Sequence, residues 1–205
     1  RFGGIPAVVV GQDRRTQRSG APLGPGGLRA ARRAMHLAEE LQLPLVTVID
    51  TPGAALSQTA EEGGLASEIA HCLADLVTHR GATLSVLLGE GTGGGALALL
   101  PADRTIAAEH AWLSPLPPEG ASAIVHRDTT HAPELAAQQG VASARLRANG
   151  IVDRIVAERP DAATDPAAFC TRMGDAIAQE LAALQLQNPE HRRVLRLERY
   201  RRLGR

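Results

Sequence analysis

The chain has 205 residues, 44% of them hydrophobic, enough for one large domain or two small ones around a sizeable core. Two Phe, one Trp and one Tyr are its only aromatic residues, so that core must be built from Leu, Val, Ile and Ala. Its 22 basic and 22 acidic residues cancel, which removes a global field toward nucleic acid or an anionic membrane. Every basic residue is Arg, and this excludes lysine Schiff bases, lysine general bases and P-loop chemistry.

In chain order, short aliphatic runs at residues 7–10, 45–49, 84–88, 104–107 and 151–156 lack polar alternation and predict strands buried on both faces. Residues 14–27, rich in Gly, Arg and Pro, read as a mobile loop. Leu28, Ala31, Met35, Ala38 and Leu41 recur at helical spacing between Gly26-Gly27 and Pro44. Leu65, Ile69, Leu73 and Leu76 do so between Gly63-Gly64 and Gly81, with Glu61-Glu62 expected to open that helix. Residues 114–120 predict a proline-rich loop leading into a helix near 119–127. Phe169, Met173, Ile177, Leu181 and Leu184 mark a third helix after Asp165-Pro166, a cap followed by proline at the first helical position. The alternation predicts an α/β fold with right-handed crossovers, organised as a single domain over 1–205. Residues 190–205 carry seven arginines against two glutamates; the expectation is a solvated terminal helix with an apolar stripe, with a docking surface as the alternative.

Cys72 and Cys170 stand alone, far from any CxxC, and read as buried small hydrophobes rather than zinc ligands. The seven histidines show no HExxH or similar ligand spacing, so no metal site is expected and each reads as a surface or capping residue. No apolar run approaches the ~20 residues that span a bilayer, and no signal peptide is visible. The chain begins at Arg1, and the expectation is a fragment of a longer polypeptide.

Two glycine-bearing turns follow predicted strands. Gly89-Glu90-Gly91-Thr92-Gly93-Gly94-Gly95-Ala96 satisfies GxGxxG, and Glu109 lies twenty residues after Gly89, the pattern of a dinucleotide loop. The helix that follows is cut at Pro101, too short for the ~30-residue unit that holds a pyrophosphate. Consecutive glycines at a strand-to-helix turn still expose N–H groups to an anion or oxyanion. Asp50-Thr51-Pro52-Gly53 resembles a nucleotide-sensing turn but lacks the lysine-bearing loop such a site needs; Asp50 is expected to fix the turn through its own backbone. Both turns are expected to face one cleft at the strand ends. No serine sits in GxSxG, and His71 beside Cys72 is badly placed to pair with it on a helix. Such a site is rich in backbone donors and poor in side-chain acids and bases. It suits oxyanion stabilisation with the proton acceptor supplied by a substrate or cofactor.

Pro44-Leu45-Val46-Thr47-Val48-Ile49-Asp50-Thr51-Pro52-Gly53-Ala54, the run from Gly89 to Ala98, and Pro118-Glu119-Gly120-Ala121-Ser122-Ala123-Ile124 occur in this order. Together they resemble the α-subunit, or C-terminal half, of acetyl-CoA carboxylase carboxyltransferase, over nearly the whole chain. The resemblance implies a crotonase/ClpP-like spiral of ββα units. It implies a carboxyltransferase that moves the carboxyl group of carboxybiotin to acyl-CoA, giving malonyl-CoA or a homologue. It places the biotin oxyanion donors at the N–H groups of Gly95 and Ala96, with Gly93, Gly94, Thr51, Pro52, Gly53 and Ala54 lining the biotin site. The implied partners are a β-like carboxyltransferase half, a biotin carboxyl carrier protein and biotin carboxylase, in a cytoplasmic oligomer without nucleic acid or membrane. Ala55-Leu56-Ser57 stands where the family commonly has Tyr-Pro-Gly, and residues 14–27 are shorter than the family loop and lack its lysines. The alternatives are a malonyl-thioester decarboxylase subunit of the same superfamily, a scaffold half without a site, and a nucleotide-binding module.

Overall fold

The computed structural model describes residues 1–201, Tyr200 by its backbone alone. Six strands form one all-parallel sheet: β1 (Val8–Gly11), β2 (Leu45–Thr51), β3 (Thr83–Thr92), β4 (Arg104–Ala108), β5 (Trp112–Ser114) and β6 (Arg154–Val156). Their order is β1-β2-β3-β4-β6, with β5 pairing on β3 beyond the end of β4. The central β3 therefore divides its partners: Leu84–Leu87 face β4, and Glu90–Thr92 face β5. Parallel pairing demands crossovers, and helices supply them: α1 (Arg14–Arg18), α2 (Pro25–Glu40), α3 (Gln58–Glu62), α4 (Leu65–Thr78), α5 (Gly93–Leu97), α6 (Pro118–His126), α7 (Ala132–Gln139) and α8 (Ser143–Ala148); α9 (Pro166–Gln185) and α10 (Pro189–Arg201) follow the last strand.

The expected strands and three long helices are present, and the differences have local causes. Residues 14–27 contain α1, capped by Asp13, and the start of α2, whose first residue is Pro25; Gly26 and Gly27 lie inside its first turn. Glu61 and Glu62 close α3, and Gly64, at φ 83°, separates it from α4. β5, α7 and α8 are too short to carry a periodic signal. A single aliphatic core joins Leu28, Ala31, Met35 and Ala38 of α2, Leu65, Cys72 and Leu76 of α4, the inner strands, and Phe169, Met173, Ile177 and Leu181 of α9. Cys72 is buried there, but Cys170 is exposed, because only every third or fourth residue of α9 meets the core.

The terminal helix departs most from expectation. Arg196 is fully buried and Arg192 nearly so. Asp103 pairs with both: Arg196 Nε donates to its Oδ1 at 2.8 Å, and Arg192 Nε lies 3.1 Å from its Oδ2 as an ion pair. Arg196 Nη1 also donates to the Leu76 and His79 carbonyls, each at 2.8 Å, and thereby closes the end of α4. Arg199 grips Asp153 at 2.7 Å and the Ile151 carbonyl at 2.6 Å. A planar guanidinium with five donors can satisfy a carboxylate and several carbonyls at once, so these arginines fasten α10 to the domain instead of solvating it. Residues 202–205, the end of the arginine-rich run, lie outside the described residues. His79 likewise corrects the surface reading: it is 1% exposed, with Nε2 3.2 Å from the Met35 carbonyl.

Candidate functional site

β2 and β3 run in register to Ile49↔Leu87 and resume at Thr51↔Gly91, so β3 carries two extra residues, Leu88 and Gly89. A bulge of this kind leaves ladder N–H groups without partners. Asp50 meets that need: its Oδ1 accepts the Glu90 N–H at 3.0 Å. Asp50 thus ties the two turns together rather than bonding its own backbone. Arg14 Nε lies 3.3 Å from the same carboxylate oxygen, and Arg18 Nη2 lies 2.6 Å from the buried Glu90 carboxylate. The first part of the glycine run, to Thr92, is strand and not turn.

The chain turns at Gly93, where φ is 59° and glycine is the residue that bears no steric cost. α5 begins there, and its C-terminal end is fixed before Pro101. Two buried hydroxyls, Thr47 Oγ1 of β2 and Ser85 Oγ of β3, both bond the Leu99 carbonyl, at 2.7 and 2.8 Å; Ser85 also bonds the Leu100 carbonyl at 2.9 Å. Carbonyls orphaned where a helix stops are satisfied in this way by the strands beneath.

The facing turn, Thr51 to Ala54, needs Gly53 at φ 119°. Thr51 Oγ1 accepts the Gly53 N–H at 3.1 Å and donates to Gln17 Oε1 at 2.5 Å. The two turns touch backbone to backbone: a Cβ placed on Gly95 would lie 3.0 Å from Ala54 N and 3.1 Å from the Gly53 carbonyl carbon. All the residues read from the sequence as one site therefore come together. Gly93, Gly94, Pro52, Gly53 and Ala54 are half-buried at the rim, while Gly95, Ala96 and Thr51 are buried behind them.

Chemically the arrangement is a donor site. N–H groups of a first helical turn point back out of its N-terminal end; those of Gly93, Gly94 and Gly95 have no carbonyl within the helix, and that of Ala96 is the first to face one, at Thr92. The Thr92 hydroxyl, at the N-cap of α5, is buried and has no hydrogen-bond partner among the described residues. Sequence reasoning missed Gln12 and Gln17. Gln12 Nε2 donates to the Gly95 carbonyl at 2.7 Å and borders a cleft of about 430 Å³ between the end of β1 and the start of α2. No local pattern marks a lone glutamine, so nothing could have singled them out. His110, Glu158 and Asp161, none of them a residue of the two turns, bring ligand-type atoms within 4.8 Å of one another. No helix of the described residues is long and apolar enough to cross a membrane.

Residues 1–204 match the family model described as acetyl co-enzyme A carboxylase carboxyltransferase-like. The chain is 60% identical over its full length to the probable biotin-dependent acyl-coenzyme A carboxylase beta3 subunit of Mycobacterium tuberculosis, and spans 41% of that protein. It is 36% identical to the acetyl-coenzyme A carboxylase carboxyl transferase subunit alpha of Caulobacter vibrioides, again over its full length and over 66% of that protein. Among solved structures, transcarboxylase 12S matches with a TM-score of 0.76 at 21% identity, over 92% of this chain and 36% of that one. A Pseudomonas malonate decarboxylase hetero-tetramer chain matches with a TM-score of 0.76 at 20% identity, over 99% of this chain and 87% of that one. Both share the crotonase-type α/β fold expected from the sequence. The chain belongs to the acetyl-coenzyme A carboxylase carboxyltransferase family.

Proposed function

We propose that this chain is the biotin-side half of an acyl-CoA carboxyltransferase, acting through the N–H groups of Gly95 and Ala96. One observation carries the reading: two glycine-bearing turns meet backbone to backbone, and the nearby carboxylates of Asp50 and Glu90 are already engaged by a backbone N–H and by arginines. The residues fit a ureido ring. Gly93 and Gly94 leave the rim free of side chains, and the buried Thr92 hydroxyl of the N-cap, without a partner among the described residues, is a polar atom beneath them still to be satisfied.

When bound, carboxylated biotin on its carrier protein supplies the carboxyl group and, at its ureido nitrogen, the base for the acyl-CoA α-proton. The protein's part is electrostatic. With biotin bound, the N–H groups of Gly95 and Ala96 would donate to its ureido oxygen and stabilise negative charge there, the Ala96 N–H being shared with the Thr92 carbonyl as first-turn amides commonly are. Donors held rigid before the reaction need no reorganisation, and each is worth about 10²–10³ in rate. The Thr51–Ala54 turn backs these donors and keeps water from them. Acyl-CoA and the other wall of the site belong to a β-like half, so the isolated chain is expected to be inactive. A carrier protein and biotin carboxylase complete the assembly.

The test is reconstitution with a β-type half and biotinylated carrier, reading malonyl-CoA formation from acetyl-CoA. Ala96→Pro removes one N–H donor and is expected to lower kcat by roughly 10². Unchanged malonyl-CoA formation by that variant would overturn the assignment. Turnover of malonyl-CoA to acetyl-CoA without biotin would favour decarboxylation instead.

A further inference from the structure

Two glutamines of the segment that follows β1 reach the paired turns, and neither belongs to the motifs that mark the site. Gln12 Nε2 donates to the Gly95 carbonyl at 2.7 Å, across 83 residues of sequence. That carbonyl is available because α5 tightens as it ends: the Leu99 N–H turns to the Ala96 carbonyl at 3.1 Å rather than to Gly95 four residues back. The Gly95 carbonyl and the Ala96 N–H are the two ends of one peptide group. A donor on the oxygen draws electron density from the nitrogen and makes its N–H a stronger donor in turn, by about 10–30% per bond.

The rest of Gln12 sharpens the point. Its Oε1 is buried and has no hydrogen-bond partner among the described residues. A buried amide satisfied at one end costs stability, whereas a leucine of similar volume would not. The residue is therefore a poor choice for folding alone and a good one for acting on Gly95. Gln17, five residues on, holds the facing turn by accepting the Thr51 hydroxyl. The two glutamines bracket the contact between Gly95 and Gly53–Ala54 from opposite turns.

We propose that Gln12 is a positioning residue for carboxyl transfer: its bond to the Gly95 carbonyl fixes the plane of the Gly95–Ala96 peptide and strengthens the Ala96 N–H. Gln17 maintains the spacing of the opposed turn. This rests on the reading of Gly95 and Ala96 as oxyanion donors.

The experiment compares Gln12→Leu with wild type in the complex reconstituted with a β-type half, with two readouts. Amide hydrogen exchange at Gly94 to Leu97 is expected to quicken at least tenfold while the unfolding midpoint stays level or rises. kcat is expected to fall roughly tenfold or more, within the range of losing part of one oxyanion donor, while KM for acetyl-CoA holds. Gln12→Asn keeps the amide but withdraws it by one methylene and is expected to give the same pair of changes. Wild-type exchange and kcat in both variants would overturn the proposal. Faster exchange with unchanged kcat would also overturn it, since Gln12 would then serve the fold alone. A wild-type complex that transfers no carboxyl group would sink the carboxyltransferase reading itself, and that control separates the two failures.

Discussion

Gly95→Ala probes the contact on which the site depends. The added methyl carbon would sit 3.0 Å from Ala54 N, 3.1 Å from the Gly53 carbonyl carbon and 3.2 Å from Leu23 Cδ2. Two of these neighbours are backbone atoms of a turn held by Thr51 and by the Ala55 N–H bond to the Leu23 carbonyl at 2.9 Å, so they cannot swing aside. Overpacking of this kind costs about 1–3 kcal/mol. Alanine returns about 0.5–1 kcal/mol by favouring the helix over glycine. The net loss of stability is therefore modest, ~0–2.5 kcal/mol. Relief of the clash moves the turns apart by a few tenths of an ångström. Since a 1 Å misplacement costs on the order of 10²-fold in rate, a several-fold to tenfold fall in kcat is expected. Gly174→Ala in α9 is the control, because its methyl would meet nothing within 4 Å. The assay is malonyl-CoA formation by the reconstituted complex beside urea unfolding of each variant. Gly95→Ala with wild-type kcat, or Gly174→Ala as damaging as Gly95→Ala, would refute the argument from packing.

Asp103→Ala leaves Arg192 and Arg196 without their shared carboxylate in a buried setting, and a loss of about 3–5 kcal/mol is expected in urea unfolding. Burial holds the His79 imidazole below its ordinary value, reinforced by Arg196 and opposed by Glu39 and by the Gly81 and Met35 carbonyls. The unfolded chain then takes up the proton first, so stability is present above about pH 6.5 and declines as pH falls through and below it. Unfolding midpoints at pH 7.5 and 5.5 should show this fall, and His79→Gln should flatten it; an unchanged slope would reject His79 as the cause. Burial pushes the Cys72 thiol up to about 11, while Cys170 is exposed. Iodoacetamide at pH 8 should therefore label Cys170 in the native protein and reach Cys72 only on unfolding, as mass spectrometry of the digested chain would report.

What was legible in the sequence was what repeats or what lies together. Leu28, Met35 and Leu76 recur at helical spacing, the aliphatic strands stand between glycines, and three short motifs in order carried the family. The turns at Gly53 and Gly93 were legible too, because positive φ selects glycine. The bonds that hold those turns were not. Asp50 reads as a local turn former, yet its partner is the Glu90 N–H, set free by a bulge that exists only once β2 and β3 pair. The same limit explains α10. A run of arginines looks solvated by composition, and the carboxylates that draw it inward, Asp103 and Asp153, lie 93 and 46 positions before Arg196 and Arg199. Gln12 is the sharpest case, because its partner is a backbone carbonyl and no residue type marks it. A donor site made of backbone leaves its glycines in the sequence, since close approach requires them. The side chains that aim the donors need only reach a carbonyl or a hydroxyl, which many residues offer. Their identity is constrained by geometry at one point, so substitution and measurement are needed to find them.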